Sequence, residues 1–289
     1  KTLQEDLSRR DFTVNAMAVS VDDPEVIIDP RGGQKDLGNR VLRMVHEDIF
    51  QEDPLRILRG AQLGTRLGLT PSLETQWAMG QAVSLLPSVS PERVSGELAK
   101  LMTATRPSYG WALLRFIGAL EPVGLQELAD TFGVEQDPRY HKSDVWGHSL
   151  IALDSCVWQG RPEVRWAALF HDIGKPGCRT EELEGDSSRA RIHFYGHEDM
   201  GADIWDGLYP RLKLQVVGLD CHRVSRLIRE HMFSVDNEST DRAIRRWISK
   251  VGEDLVPDLI RLRIGDRLGK GMEWEGVPYW LAFLRRVRG

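Results

Sequence analysis

The chain has 289 residues, which gives room for about two or three modest domains. Charged residues make up 28% of it and hydrophobic residues 41%, a composition that excludes wholesale disorder. The formal net charge of −5 carries no global basic signature of a nucleic-acid partner, although a local basic patch would serve the same purpose.

The sequence contains no membrane or disulfide signal. No apolar run approaches the roughly 20 residues that a membrane-spanning helix needs, so we expect no membrane partner. The three cysteines, Cys156, Cys178 and Cys221, are widely spaced and form no C-x-x-C pair. A sparse, odd set of cysteines indicates a reducing compartment, so we expect a cytoplasmic protein with incidental thiols.

Strand signals are concentrated in the first forty-odd residues. Residues 12–19 are rich in apolar side chains, and residues 26–28 form a short β-branched run. That run is followed by the sequence Asp-Pro-Arg-Gly-Gly at 29–33, which is a strong turn signal. This part of the chain therefore predicts short strands mixed with helix.

Beyond residue 46 the sequence predicts helices separated by Pro or Gly. Their signals lie after Pro54, Pro71 and Pro91, near residues 111–120, and from about residue 143 to the C-terminus. Gly174 follows one of these segments, and we expect it to end that helix in the left-handed conformation. Residues 181–188 are polar and contain Gly185, which predicts a loop. The predicted fold class is α+β and predominantly α-helical.

Three motifs near the N-terminus form the first candidate site. They are RRDFTVNAMA at 9–18, DPRGGQKDL at 29–37 and EDPLRILR at 52–59. In a helix that starts at Pro54, Arg56 and Arg59 share a face with Asp53. A carboxylate beside a guanidinium offers acceptors and donors suited to the edge of a nucleobase. Alternatively, Asp53 is a helix N-cap that pairs with Arg56 on a solvated surface.

The adjacent pair His171-Asp172, at the end of a predicted helix over 164–172, forms the second candidate site. Imidazole and carboxylate groups hold divalent transition metals at neutral pH. Further candidate ligands lie on both sides of the pair: His148, His197, His231 and Asp266. The other histidines are interpreted as surface or packing residues: His46, His141, His193 and His222.

The order H…HD…H…H…D resembles that of the HD-domain metal-dependent phosphohydrolases. The resemblance implies that His171 and Asp172 are catalytic and share one metal with His148 and Asp266. It also implies that His197 and His231 supply ligands to a second metal; occupancy by one ion or by two stays open. A divalent transition metal such as Ni²⁺ or Mn²⁺ would activate water and clamp phosphate oxygens in phosphoester hydrolysis.

The N-terminal motifs, together with PERV at 91–94, resemble conserved blocks of the tRNA nucleotidyltransferases. These are the CCA-adding enzymes and their bacterial poly(A) polymerase relatives, some of which append an HD domain, and the resemblance covers nearly the whole chain. It implies that Asp53 and Arg56 read the base of CTP or ATP, while Arg10 and Arg59 bind the triphosphate. It also implies tRNA as a partner and Mg²⁺ as the cofactor of nucleotidyl transfer. Gln62 stands where the family usually has a third arginine, which weakens the triphosphate contact.

The same resemblance divides the chain into three predicted domains. Residues 1–46 would be the C-terminal part of a nucleotidyltransferase head, and 47–138 a helical neck and body that carries the nucleotide template and binds tRNA. Residues 139–289 would be the HD domain and a helical tail.

The family's Gly-rich loop and D-x-D carboxylate pair precede the RRD block and are not found before Lys1, which is neither an initiator Met nor part of a signal peptide. We therefore expect nucleotidyl transfer to need a separate N-terminal catalytic segment, either removed by truncation or supplied by a second chain. CC-adding, A-adding and CCA-adding relatives share the template block, so the number of nucleotides added stays open.

Two alternatives to transfer remain. The chain by itself could be an HD phosphohydrolase acting on 2′,3′-cyclic phosphates, 2′-nucleotides or RNA ends. It could also be a catalytically silent body that binds tRNA. Arginines near the C-terminus suit either RNA contact or a solvated face: Arg242, Arg245, Arg246, Arg285, Arg286 and Arg288.

Overall fold

The computed structural model describes residues 2–156, 161–183, 190–271 and 273–288. It divides into two compact units, Lys1–Gly124 and Leu125–Gly289. Helices dominate both units and the strands are short, which confirms the predicted α+β, predominantly helical class. Across the described residues, every helix is too short or too polar to serve as a membrane span.

The first unit contains seven α-helices among its described residues, α1 to α7. They are Leu3–Ser8, Gly33–Gly38, Ile49–Glu52, Leu55–Leu67, Leu73–Ala82, Pro91–Met102 and Ser108–Phe116. Strand β1 (Ala18–Val19) pairs antiparallel with β2 (Ile27–Ile28), as the β-branched run predicted. Strand β3 (Val41–Leu42) pairs in parallel with β4 (Thr70–Pro71).

Helix α4 is the centre of the first unit. Leu55 and Leu58 are buried, as the predicted helical face requires, and the helix packs against α6 and α7. The helix ends at Gly68, whose φ of 66° is left-handed, a conformation that glycine adopts without steric cost. The prolines at 54, 71 and 91 precede or begin α4, α5 and α6, so these helix predictions are confirmed.

The second unit contains nine α-helices among its described residues, α8 to α16. They are Gln126–Ala129, Val145–Ser155, Pro162–Phe170, Lys175–Cys178, His197–Leu212, Cys221–Arg229, Asp241–Val251, Val256–Gly269 and Val277–Arg288. Trp166, Phe170 and Trp205 pack against one another in its core with ring centroids 5.2–5.9 Å apart. Helix α15 packs against α9 and α10, and glycine allows the approach: a Cβ on Gly269 would lie 2.7 Å from Nδ1 of His148.

A β-hairpin replaces part of the loop predicted at 181–188. Strand β5 (Thr180–Leu183) pairs antiparallel with β6 (Ala190–His193), so the prediction is wrong for residues 181–183. Residues 184–189 lie outside the described residues. The polar side chains of β5 misled the prediction because a two-stranded ribbon is held by backbone hydrogen bonds and does not require an apolar face.

Gly174 does not adopt the predicted left-handed conformation. Helix α10 ends at Phe170, a turn carries the chain through His171 and Asp172, and Gly174 has a φ of −77°. A Cβ on Gly174 would lie only 2.3 Å from the carbonyl oxygen of His197. Glycine is therefore required here so that the start of α12 can approach this turn.

We predict that Gly174→Ala lowers the free energy of unfolding by about 1–3 kcal/mol. The added methyl group would clash with backbone atoms of His197, which can move only if the start of α12 shifts. Gly207→Ala is the control, since Gly207 is exposed within α12 and a Cβ there meets no atom within 4 Å. The control should be neutral or stabilising by up to about 1 kcal/mol. Urea unfolding of both variants tests this, and equal midpoints would contradict it.

Candidate metal centre and nucleotide-binding surface

The structure brings all six residues proposed as metal ligands into one buried cluster in the second unit. The elements that carry them are separated in sequence: His148 in α9, His171 and Asp172 after α10, His197 at the start of α12, His231 after α13, and Asp266 in α15. Two triads of these residues each offer ligand atoms within 4.8 Å of one another.

The first set of ligand atoms surrounds Nε2 of His148. This atom lies 3.1 Å from Nε2 of His171 and 3.1 Å from Oδ1 of Asp266. Oδ2 of Asp172 lies 3.3 Å from Nε2 of His148 and 3.2 Å from Nε2 of His171. Two imidazoles and two carboxylates therefore face one common space.

The second set faces the other oxygen of Asp172. Oδ1 of this carboxylate lies 3.3 Å from Nε2 of His197 and 3.8 Å from Nε2 of His231. The two imidazole Nε2 atoms are 3.3 Å apart. Asp172 thus presents one oxygen to each set, so it could contribute a ligand atom to a metal ion in either set.

Three of the imidazoles are oriented in the same way. In each ring, Nδ1 lies within hydrogen-bond distance of the carbonyl oxygen three residues earlier. The pairs are His171 with Ala168 at 2.9 Å, His197 with Phe194 at 2.7 Å and His231 with Ile228 at 2.7 Å. Because a carbonyl only accepts, Nδ1 must donate, and Nε2 then faces the cluster as the candidate ligand atom.

The charges around the cluster favour ionised carboxylates. Burial opposes the ionisation of Asp172, but His171 and Lys175 hold its pKa well below the usual value. Burial likewise opposes the ionisation of Asp266, but Lys270 and His148 hold its pKa well below the usual value. These carboxylates carry the charge that metal coordination requires.

The pKa values of two imidazoles depend on the same balance between burial and neighbouring charge. Burial alone would lower the pKa of His171, but Asp172 and Asp266 raise it to about 9. The two carboxylates therefore favour positive charge at the centre of the cluster. Burial lowers the pKa of His231 well below its usual value, which keeps that imidazole neutral.

The donor set fits a divalent transition metal. Oδ1 of Asp266 is buried between Nε2 of His148 at 3.1 Å and Nζ of Lys270 at 2.9 Å, so a charged carboxylate faces the first set of imidazoles. Nitrogen and carboxylate ligands in this combination suit ions such as Ni²⁺ and Mn²⁺. The six residues could therefore hold one ion in each set, with Asp172 common to both.

A cavity of about 300 Å³ opens onto the cluster. It is lined by Asp137, Arg139, Tyr140, His141, Asp172, Lys175, Arg191, Ile192, His193, Phe194, Tyr195, His197, Met232 and Lys270. His141 and His193, which the sequence predicts to be surface or packing residues, both line this cavity. Burial and the charge of Lys175 lower the pKa of His141 to about 3, so that ring stays neutral.

Sequence analysis also assigned no role to Lys175. Its Nζ lies 2.7 Å from Oδ2 of Asp172 and 2.6 Å from Oε1 of Gln136. The spacing of three residues from Asp172 was a usable signal, because residues i and i+3 meet on one side of a turn. Gln136 carried no such signal, since it lies 39 residues away in sequence.

In the first unit, Asp53 and Arg56 have different partners. Asp53 accepts a hydrogen bond from Arg93 at 2.7 Å and one from the backbone N–H of Leu55 at 3.2 Å. Arg56 instead donates to Glu52 at 2.9 Å. The alternative in which these two residues simply pair with each other is therefore wrong, although Asp53 does satisfy an N–H at the start of α4.

Arg59 and Arg10 differ in how firmly they are held. Arg59 forms an ion pair with the buried Asp11 at 2.7 Å and lies 3.8 Å from Glu97. Arg10 pairs with Asp6 at 2.7 Å, where both side chains are more than half exposed. Sequence analysis missed Asp11, although it stands in the same RRD motif as Arg10.

The arginines near the C-terminus are exposed in part. Arg286 donates to Asp241 and to the carbonyl oxygens of Asn237 and Ser239, so it holds α16 beside the segment that precedes α14. The side chain of Arg288 lies outside the described residues. RNA contact by this region stays a prediction.

We predict that Asp11→Ala destabilises the protein by about 2–3 kcal/mol, because it leaves Arg59 without its buried partner. Asp6→Ala is the control and should cost less than about 0.5 kcal/mol, since it removes an exposed pair. Denaturant unfolding followed by circular dichroism measures both changes. Similar losses in the two variants would show that Asp11 does not anchor Arg59.

Comparison with known families agrees with this architecture. Residues 1–43 match the Poly A polymerase head domain, and residues 68–129 match the probable RNA and SrmB-binding site of polymerase A. Residues 145–269 match the HD domain, which contains all six residues of the metal-ligand cluster.

Curated relatives extend the likeness over most of the chain. The A-adding tRNA nucleotidyltransferase of Deinococcus radiodurans is 38% identical over 274 residues, which cover 92% of this chain and 60% of the relative. The CC-adding tRNA nucleotidyltransferase of Thermus thermophilus is 36% identical over 284 residues, which cover 94% of this chain and 62% of the relative. The chain belongs to the family of bacterial tRNA nucleotidyltransferases and poly(A) polymerases that carry an HD domain.

The chain spans about three fifths of the length of these two relatives. Among solved structures, the Bacillus stearothermophilus CCA-adding enzyme in complex with CTP aligns with a TM-score of 0.66. That alignment has 22% identity and covers 99% of this chain and 59% of the other. The Thermotoga maritima CCA-adding enzyme complexed with tRNA aligns with a TM-score of 0.55 at 19% identity, covering 100% of this chain and 62% of the other. These two alignments show a shared fold.

Proposed function

We propose that the protein acts in extending tRNA 3′ ends with CTP and ATP, as a tRNA nucleotidyltransferase of the CCA-adding type. The observation that carries the proposal is identity of 36–38% to A-adding and CC-adding enzymes over more than nine tenths of the chain. Nucleotidyl transfer also needs carboxylates that hold Mg²⁺. The 289 residues contain no D-x-D sequence, so the proposal assigns that carboxylate pair to a separate segment.

The proposed template is the pair Asp53 and Arg56. Cytosine and adenine each present an exocyclic amino donor, which a carboxylate accepts, and a guanidinium can donate to the neighbouring ring nitrogen. Arg93 occupies part of the hydrogen-bonding capacity of Asp53, but a carboxylate has about four acceptor sites. Arg93 would therefore orient Asp53 without preventing it from accepting a base.

The proposed triphosphate ligands are Arg59 and Arg10. Arg59 is oriented by the Asp11 carboxylate through its Nε and one terminal nitrogen. Because a guanidinium carries five N–H donors, others remain to bind a phosphate oxygen. Arg10 is more exposed and would complete the contact from the neighbouring RRD motif.

We predict that the chain, fused behind a segment bearing a D-x-D pair, extends tRNA that lacks its CCA end in the presence of CTP, ATP and Mg²⁺. Asp53→Ala should reduce the preference for CTP and ATP over UTP and GTP at least about tenfold, since each base-specific contact contributes about 1–3 kcal/mol. Asp48→Ala, five residues away, is the control and should leave selectivity unchanged. Failure of the fused protein to extend tRNA would contradict the transferase proposal.

We further propose that the second unit is a phosphohydrolase with two divalent transition-metal ions, acting on 2′,3′-cyclic phosphates, 2′-nucleotides or RNA ends. The two oxygens of Asp172, each facing a different histidine set, support this second activity. Bound metal would activate water and neutralise phosphate oxygens. Lys175 and Lys270 hold Asp172 and Asp266 in position and add positive charge beside the cavity.

We predict two equivalents of Ni²⁺ or Mn²⁺ per chain, measured by elemental analysis after dialysis. His148→Ala and His231→Ala should each remove about one equivalent, because they belong to different sets. Asp172→Ala should remove both. His222→Ala is the control, because that exposed histidine lies outside the cluster and metal content should not change.

The same variants test hydrolysis. His171→Ala and Asp172→Ala should abolish metal-dependent hydrolysis of 2′,3′-cyclic AMP, whereas His222→Ala should retain it. Full metal content or full activity in Asp172→Ala would remove the cluster from the proposed mechanism.

A further inference from the structure

The cavity above the metal-ligand cluster has a rim whose side chains are not among the six candidate metal ligands. We define the rim as Arg139 and Tyr140, which precede α9, together with Arg191, His193 and Tyr195, which belong to β6 and the turn after it. These residues supply cationic and aromatic groups, whereas the floor of the cavity supplies the candidate metal ligands.

We propose that the rim binds the 3′-terminal nucleotide of an RNA strand, with its base on Tyr195 and the phosphodiester on its 5′ side at Arg191 and Arg139. The terminal 2′- or 2′,3′-cyclic phosphate would then lie over Asp172. This inference rests on the proposed phosphohydrolase activity and names its substrate as an RNA end rather than a free phosphate ester.

The aromatic part of the rim is already arranged for stacking. The rings of His193 and Tyr195 are stacked, with centroids 5.1 Å apart and planes 10° from parallel. Tyr195 is 72% exposed at the edge of the cavity, and Tyr140 is 65% exposed. Exposed aromatic rings are the platforms on which single-stranded nucleic acids stack their bases.

The charge of the cavity favours a polyanion. Among the described residues, its lining contains four Lys or Arg side chains and two carboxylates, Asp137 and Asp172. Lys175 and Lys270 contact Asp172 and Asp266, so they belong to the floor. Arg139 and Arg191 lie on the rim, where a second phosphate group of the ligand would reach them.

Arg139 is held in a defined orientation. It donates to both carboxylate oxygens of Asp137, at distances between 2.5 and 3.1 Å, and its guanidinium carbon lies 6.0 Å from the ring centroid of Tyr140. This contact fixes the position of the guanidinium before a ligand arrives.

The size of the cavity limits how much of the strand it encloses. A volume of about 300 Å³ lies at the lower end of the range for small-molecule sites, which is about 300–1,000 Å³. We therefore assign a single nucleotide to the cavity. The rest of an RNA strand would lie outside, so the phosphodiester that joins the two parts would cross the rim.

The first test measures stacking without metal. The probe is a diribonucleotide whose 3′ residue is 2-aminopurine riboside 2′-monophosphate, titrated in excess EDTA. Stacking quenches 2-aminopurine, so the unmodified protein and Tyr195→Phe should quench the probe with similar affinity. Tyr195→Ala should bind about tenfold more weakly or worse, because the base loses its platform. Equal quenching by Tyr195→Ala would overturn the proposal.

The second test measures the phosphodiester contact. Arg191→Gln should weaken binding of the dinucleotide and lower the slope of log Kd against log salt concentration, because one charge contact is lost. Binding of the corresponding mononucleotide, which lacks the phosphodiester, should hardly change. Arg211→Gln is the charge-matched control, because Arg211 pairs with Glu127 and does not line the cavity. Equal effects of Arg191→Gln and Arg211→Gln would also overturn the proposal.

Two different outcomes separate nucleotide binding at the rim from phosphoester hydrolysis at the cluster. A protein that hydrolyses 2′,3′-cyclic AMP with Ni²⁺ or Mn²⁺ but binds mononucleotide and dinucleotide equally would lack the proposed rim function. A protein that hydrolyses no phosphoester would lack the proposed activity, whereas binding in EDTA would still decide the role of the rim.

Discussion

The buried carboxylate of Asp172 is the constraint on which the second unit depends. Each of its oxygens faces a different histidine set, so α9, α12 and the end of α13 must all approach one side chain. The close contact between Gly174 and the backbone of His197 allows α12 to do so. A buried carboxylate without cationic or hydrogen-bonding partners would be strongly unfavourable, which explains why these elements converge on it.

The orientation of the imidazoles follows from local backbone geometry. His171 and His231 stand just beyond the ends of α10 and α13, where the last carbonyl groups of a helix have no intrahelical partner. Their Nδ1 atoms lie within hydrogen-bond distance of carbonyls in these last turns, at Ala168 and Ile228. The ends of these helices therefore set the direction of the rings, so Nε2 of each faces Asp172 without support from a distant side chain.

Sequence patterns predicted the parts of the structure that depend on residue type and local order. The six cluster residues were identifiable because imidazoles and carboxylates in this order resemble the HD-domain pattern. Prolines marked the starts of α4, α5 and α6. Partners that depend on distances through space were not predictable, as with Arg93 at Asp53 and Gln136 at Lys175. The strand character of β5 was missed because its pairing, rather than its composition, defines it.

The ion pair between Arg59 and Asp11 has a consequence for ligand affinity. A long side chain that moves freely loses much of its rotational entropy when an anion immobilises it. The buried Asp11 carboxylate already restricts Arg59, because it accepts from both Nε and one terminal nitrogen of the guanidinium. An anion that binds there meets a preorganised donor, whereas at the exposed Arg10 the same contact would first have to order the side chain.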